Sequence, residues 1–259
     1  MECKNCDRPL SKDHGYCPNC GAKVIRNRLS FRNLWHDISE RYFNLDNTFL
    51  KTFWHLFTKP EVVIGGYING VRKKYMNPIS YLGIALTLSG LTIFLLRKFF
   101  YKAIDWNMYA KGPNPEMGLK MTETMFDYSS LVFILYIPLL ATAAFLALNK
   151  RKFFFSEYIV IFVYILAHYS ILSFPISIGI LSIAPDQYLN IGLPLVLFIF
   201  IYSIYALQRM NRFPIINLIL RTGLYGILIG VGFLGMVVLT VILLFATGVF
   251  DPQDFVPPK

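Results

Sequence analysis

From Thr222 to Val249 the chain reads TGLYGILIGVGFLGMVVLTVILLFATGV, without one Asp, Glu, Lys or Arg. About 20 consecutive apolar residues, wound as a helix, cross the roughly 30 Å of a bilayer's hydrocarbon core. A stretch of this length and composition therefore predicts a transmembrane helix. Working back toward the N-terminus, four further uncharged blocks read the same way: Ile191–Leu207, Tyr158–Ala184, Ser129–Leu148 and Pro78–Leu96. Together they predict an all-α polytopic membrane protein of about five transmembrane helices. The composition agrees, with 55% hydrophobic and only 15% charged residues, against about 25% charged in soluble domains.

The net charge of +10 is explained by the membrane rather than by nucleic acid, and no nucleic-acid partner is expected. Of the 25 basic residues, 13 precede the first apolar block, and no basic low-complexity tail occurs. Cytoplasmic loops of membrane proteins carry an excess of Lys and Arg. Lys150, Arg151, Lys152, Arg209 and Arg212 share a side with the basic N-terminal region if the N-terminus is cytoplasmic, whereas Asp186 and the tail lie outside. The exception is the first exterior loop, with Arg97, Lys98, Lys102, Lys111 and Lys120. The expected location is a cytoplasmic (bacterial inner) membrane, with the N-terminus inside and the C-terminus outside.

All four cysteines fall within the first 20 residues, as Cys3-x-x-Cys6 and Cys17-Pro-Asn-Cys20-Gly21. No apolar signal segment precedes them, and in a reducing compartment paired cysteines bind metal more often than they form disulfides. Two such knuckles supply the four thiolates of a tetrahedral zinc site, and Gly21 frees the backbone to turn toward the metal. A four-cysteine shell leaves no open coordination position, so the zinc is expected to be structural. His14 lies between the knuckles as a turn residue.

Boundaries follow: residues 1–25 as a zinc ribbon, 26–76 as cytoplasmic amphipathic helices, 77–250 as the five-helix membrane domain, and 251–259 as a polar tail. In the second segment Phe31, Leu34, Trp35, Ile38 and Tyr42 share one helical face, and a second helix after Asp46 carries Phe49, Phe53, Leu56 and Phe57. Aromatic residues beside basic ones suit helices lying in the interface; packing of these faces on the bundle is the alternative.

Within the spans, no Asp, Glu, Lys or Arg lies near mid-depth, where proton and ion pathways usually need one. His168 with Tyr164 and Ser173 forms a candidate polar seam; the plainer reading is an interhelical hydrogen bond. Arg72, Lys73 and Lys74 abut the first span and could hold an anionic headgroup or act only as a topogenic stop. Gly226-x-x-x-Gly230 allows close approach of another helix, within the chain or in a second copy. No catalytic set or phosphate-cradling loop is present, so no enzyme activity is expected.

The motifs Cys-x-x-Cys, Tyr16-Cys17-Pro-Asn-Cys20-Gly21, Thr52-Phe53-Trp54, the stretch from Pro60 to Tyr67-Ile68-x-Gly70, and Arg72-Lys73-Lys74-Tyr75-x-Asn77-Pro78 occur in that order. In them the chain resembles an uncharacterised bacterial family, best known from Bacteroidota, that joins a zinc ribbon to a polytopic domain of unknown function. The resemblance covers about the first 80 residues and implies no activity. Five spans with a cytoplasmic N-terminus are also similar in topology to the Yip-type membrane proteins of trafficking pathways.

The expectation is an integral membrane adaptor or assembly scaffold, with Zn2+ bound by Cys3, Cys6, Cys17 and Cys20. Its partners would be the bilayer, anionic lipid, and another membrane protein or a second copy. The alternative is a transporter or lipid-handling protein using the seam at His168; an intramembrane enzyme ranks below both.

Overall fold

The structure, a computed structural model, describes residues 2–11, 13–22, 24, 45–104, 106, 115–151, 153–246 and 248. The helix expected over residues 31–42 and the tail from 251 lie outside them. The chain divides into two compact units, Met1–Asn47 and Thr48–Lys259.

The described residues of the first unit hold no strand, only an isolated antiparallel bridge between Glu2 and Pro9. A small core of Cys3, Leu10 and Cys17 is covered by Cys6, Ala22 and Val24.

The second unit is helical. Helix α1 (Leu45–Thr58) ends at the Lys59-Pro60 step, and α2 (Pro60–Ile68) starts with proline at its first turn, where the missing N–H costs nothing. Asn77 caps α3 (Pro78–Leu95) by accepting the Ser80 N–H at 2.8 Å. Tighter and wider turns continue α3 as far as Ala103. Then come α4 (Pro115–Leu148), α5 (Phe155–Ile183), a 3-10 turn at Pro185–Ile191, α6 (Gly192–Asn211) and α7 (Ile215–Ala246). Glu157 reaches back to the Phe154 N–H at 2.7 Å, fixing the start of α5. Pro138 and Pro175 lie inside unbroken α4 and α5.

Among the described residues, four segments are long and apolar enough to cross a membrane: Pro78–Ala103, Phe155–Ile183, Pro185–Asn211 and Ile215–Ala246. The described apolar part of α4, Phe133–Leu148, is shorter.

Helix directions can be read from their contacts. Tyr164 bonds Met76, His168 bonds Tyr81 and Ser170 bonds Ala85, so α3 and α5 run parallel side by side. Tyr158 donates to the Leu148 carbonyl at 2.9 Å, placing α4 antiparallel to α5. Tyr169–Phe198 and His168–Tyr202 ring contacts make α6 antiparallel to α5, and Phe200 stacks on Tyr225 of α7. The ends of α4 and α6 and the starts of α3, α5 and α7 therefore share one face.

Helix α5 is central. It is apolar all round and buried continuously from Ile161 to His168, the signature of a helix surrounded by others. Its best 18-residue window is 56% buried, whereas that of α7 is 0%, so α7 lines the bundle's outer surface.

Helix α2, with Gly65 and Gly66, falls within the 26–76 segment of expected helices, where the sequence sets no separate bounds for it. Two boundaries differ from expectation. Helix α4 begins 14 residues before Ser129. Helix α7 starts at Ile215 and takes in Arg221, whose guanidinium donates to the Ala147 carbonyl at 2.7 Å. That bond satisfies an end carbonyl of α4 and places the charge at a helix terminus. Thr52, Phe53, Leu56 and Phe57 of α1 pack inward, while Leu50 and Trp54, one turn apart, are 61% and 66% exposed on the outer side.

Candidate functional sites

The two cysteine knuckles have the same backbone geometry. Cys3 N–H donates to the Arg8 carbonyl at 2.9 Å and Cys17 N–H to that of Ala22 at 2.8 Å. Asp7 N–H returns to Cys3 at 2.8 Å, and Gly21 N–H returns to Cys17 at 2.9 Å. Each turn needs a left-handed residue after its second cysteine. Gly21 (φ 71°) supplies one freely, and Asp7 (φ 57°) supplies the other as one of the few types that tolerate it. Gly21 was legible in the sequence; Asp7 was missed.

All four sulfurs lie within 4.8 Å of one another and none is in a disulfide. Cys3 and Cys20 Sγ are 3.7 Å apart, and Cys6 and Cys17 Sγ 3.6 Å apart. A tetrahedral ion with metal–sulfur bonds of about 2.3 Å holds its ligands about 3.8 Å apart. The donor set fits a thiophilic tetrahedral metal, and His14 is outside it. Metal binds the thiolate, which amide donors favour. The Asn5 side chain and the Ala22 N–H hold the Cys20 thiol down to about 6. The Cys20 and Asn19 N–H groups hold Cys17 below the ordinary thiol range. At Cys6 the Arg8 N–H pulls down, but the neighbouring Cys20 thiol and burial outweigh it and push the group up to about 11.

His168 is fully buried. Its Nδ1 lies 2.9 Å from the Tyr81 hydroxyl, and its ring is boxed by Phe57 at 4.3 Å, Phe53 at 5.0 Å and Tyr202 at 5.3 Å between centroids. Its Nε2 has no hydrogen-bond partner among the described residues. The Phe57 ring is inclined at 69° to the imidazole.

The three residues of the predicted seam part company. Tyr164 donates to the Met76 carbonyl at 2.7 Å and joins Tyr81 and His168 on the α3 side. Ser173 donates to the Ser170 carbonyl at 2.9 Å and lies with Tyr169 and Phe198 along an apolar groove of about 220 Å³ between α5 and α6.

Arg72, Lys73 and Lys74 are exposed on the α2–α3 loop; Arg72 lies 5.6 Å from the Tyr67 ring and Lys74 5.7 Å from that of Tyr75. That loop is pinned to α1. The Tyr75 hydroxyl bonds His55 Nδ1 at 2.7 Å, and Met76 N–H donates to Thr52 Oγ1 at 2.9 Å, which donates in turn to the Thr48 carbonyl. The α6 tyrosines reach α1 from the other side: Tyr202 donates to Leu56 O at 3.0 Å, and Tyr205 to Phe57 O at 3.1 Å. Sequence reasoning missed Thr52, Tyr81 and Tyr202, since nothing local distinguishes a bonded hydroxyl from a free one.

On α7, a Cβ at Gly226 would lie 3.6 Å from Phe200 of α6, whereas at Gly230 it would meet nothing within 4 Å. The tightest approach is at Gly232, 3.3 Å from Leu139 of α4.

Residues 46–90 match a family described as a protein of unknown function (DUF3667). No curated protein and no solved structure matches the chain. The matched segment spans α1, α2, their loop and most of α3. It contributes Phe53, Phe57 and Tyr81 to the box around His168 and Thr52, Tyr75 and Met76 to the bonds beneath it.

Proposed function

We propose that the chain is an integral membrane adaptor or assembly factor whose zinc ribbon, residues 1–25, is a structural docking module in the cytoplasm. The single observation that carries this reading is the closed tetrad of Cys3, Cys6, Cys17 and Cys20. Its sulfur spacing suits zinc, and four protein ligands leave no position for substrate or water. In so small a unit, metal binding substitutes for the missing core.

In this reading the membrane domain crosses five times. Because α3 and α5 run parallel, the chain must return between them, and α4 is the described helix antiparallel to α5. Lys150, Arg151, Arg209 and Arg212 then fall on the cytoplasmic side with Arg72, Lys73 and Lys74. Leu50 and Trp54 face the headgroups as the interfacial surface of α1.

Transport along a seam at His168 has less support, because Phe53, Phe57 and Tyr202 close around the imidazole and leave it no accessible surface. Its hydrogen bond serves helix packing.

The test is crosslinking co-purification from native membranes, comparing the intact chain with Cys17→Ser/Cys20→Ser and measuring metal on both. About one zinc per chain, and a partner lost with it, is the expected result. Loss of zinc with the partner set unchanged would remove the docking role and leave the metal as a folding element.

A further inference from the structure

We propose that the cleft between α2 and the α6–α7 turn binds the phosphate of an anionic phospholipid headgroup. This site is separate from Arg72–Lys74 and rests on the membrane character of the chain, not on the adaptor reading. Glu61, Gln208, Arg209, Arg212 and Phe213 line a cleft of about 290 Å³, near the lower end of ligand pockets, which run from about 300 Å³ upward.

Three observations converge there. The first is charge: Arg209 and Arg212 line the cleft with one carboxylate, Glu61, and Lys150 and Arg221 lie against the Phe213 ring that completes the lining. That carboxylate is committed to Arg209 through bonds of 3.1 and 2.6 Å to Nε and Nη2. Lys150 and Arg221 flank the Phe213 ring at 5.8 and 5.2 Å. The Arg212 guanidinium is exposed and makes no hydrogen bond among the described residues.

The second is backbone conformation. Arg212 ends α6 in the left-handed region at φ 53°, a conformation that favours glycine, with its N–H donating to the Gln208 carbonyl. The turn is held by Gln208, whose side chain bonds both backbone groups of Phe213 at 2.8 and 2.9 Å. Lys150 Nζ also donates to the Arg212 carbonyl, at 2.9 Å. The turn so fixed presents one unpaired guanidinium at the cleft.

The third is what adjoins it. Ile215, Ile216, Ile219 and Leu220, at the start of α7, are 64–71% exposed. A polar cleft beside a bare apolar helix fits a molecule with an anionic head and a hydrocarbon tail. Topogenic charge alone would not need to converge in this way.

The test uses the full-length chain in detergent, with lipid retention read by native mass spectrometry. Phosphatidylglycerol and phosphatidylcholine of identical acyl chains are compared, with inorganic phosphate as the soluble competitor. Arg212→Asn removes the guanidinium but tolerates the left-handed backbone, and Arg212→Lys restores the charge. Expected is preferential retention of phosphatidylglycerol, reduced about fivefold by Arg212→Asn, the contribution of roughly one interfacial cation, and largely restored by Arg212→Lys. Neutralising Arg72, Lys73 and Lys74 together should leave it in place. Equal retention of the two lipids, or undiminished retention by Arg212→Asn when the variant elutes as the wild type does, overturns the site. Complete displacement by low-millimolar phosphate would overturn the lipid as its occupant in favour of a soluble phosphate.

Discussion

Replacing Tyr81 with Phe removes one oxygen from the centre of the bundle, and the surroundings of that oxygen set the cost. The Tyr81 hydroxyl is the one hydrogen-bond partner of His168 among the described residues, bonding Nδ1 at 2.9 Å while Nε2 has none. Interhelical hydrogen bonds in membrane proteins average only about 0.6 kcal/mol, because a freed group usually finds another partner. Here the imidazole is enclosed by Phe53, Phe57 and Tyr202, and the Tyr202 hydroxyl is engaged with Leu56. A buried polar group left without a partner costs about 1–3 kcal/mol, so Tyr81→Phe should exceed that average and fall in this range. Adding His168→Leu removes the orphan together with its bond, and the double variant should recover much of the loss. The assay is equilibrium unfolding in mixed micelles by denaturing detergent, followed by circular dichroism, across the full mutant cycle. A Tyr81→Phe variant indistinguishable from wild type, or a double variant as costly as the sum of the two singles, would show that the box is not closed as described.

Metal bound by the four cysteines should be acid-labile. Cys20 is held at about 6, below the ordinary thiol value of 9.0, so its thiolate contribution is complete above that ordinary value and lost as pH falls through about 6. Metal content after dialysis should fall on acidification, as protons compete for the thiolates, while loading at neutral pH should release a proton from the raised Cys6, detectable by titration calorimetry in two buffers. On α7, Gly232→Leu should destabilise by about 1–3 kcal/mol through overpacking against Leu139. Gly230→Leu should be neutral or stabilising, since leucine is the better helix former and meets open space; equal effects in detergent unfolding would refute the packing assignment. Glu61→Gln should cost no more than about 1 kcal/mol in the same assay, because its pair with Arg209 is partly exposed at 26% and 45%.

The membrane helices were legible because apolar length is a property of the sequence itself, and the uncharged run after Thr222 needs no neighbour to be recognised. The boundary at Ile215 was not, because Arg221 looks like a terminator until the Ala147 carbonyl is seen to receive it. The start of α3 at Pro78 was legible from the apolar run, and the structure adds the Asn77 cap that fixes it. The cysteine pairs were likewise local, and their spacing alone implied convergence. His168 was singled out as the conspicuous polar residue at depth, but its partner Tyr81 is 87 positions away and looks like any aromatic residue near a helix start. The basic cleft escaped notice for a similar reason: Arg209 and Arg212 account for orientation in sequence, and only the turn at Phe213 brings them together with Lys150 and Arg221.

The tyrosines of α6 set an order of events during synthesis. The last carbonyls of α1 accept bonds from Tyr202 and Tyr205, so in the finished protein phenolic hydroxyls do for that helix end what water would otherwise do. Leu56 and Tyr202 are 146 residues apart. At about 5–20 residues per second, the ribosome makes the second roughly 7–30 s after the first. Until then the C-terminal carbonyls of α1 lack these two phenolic partners, and the helix end that they complete can be finished only once α6 has been made.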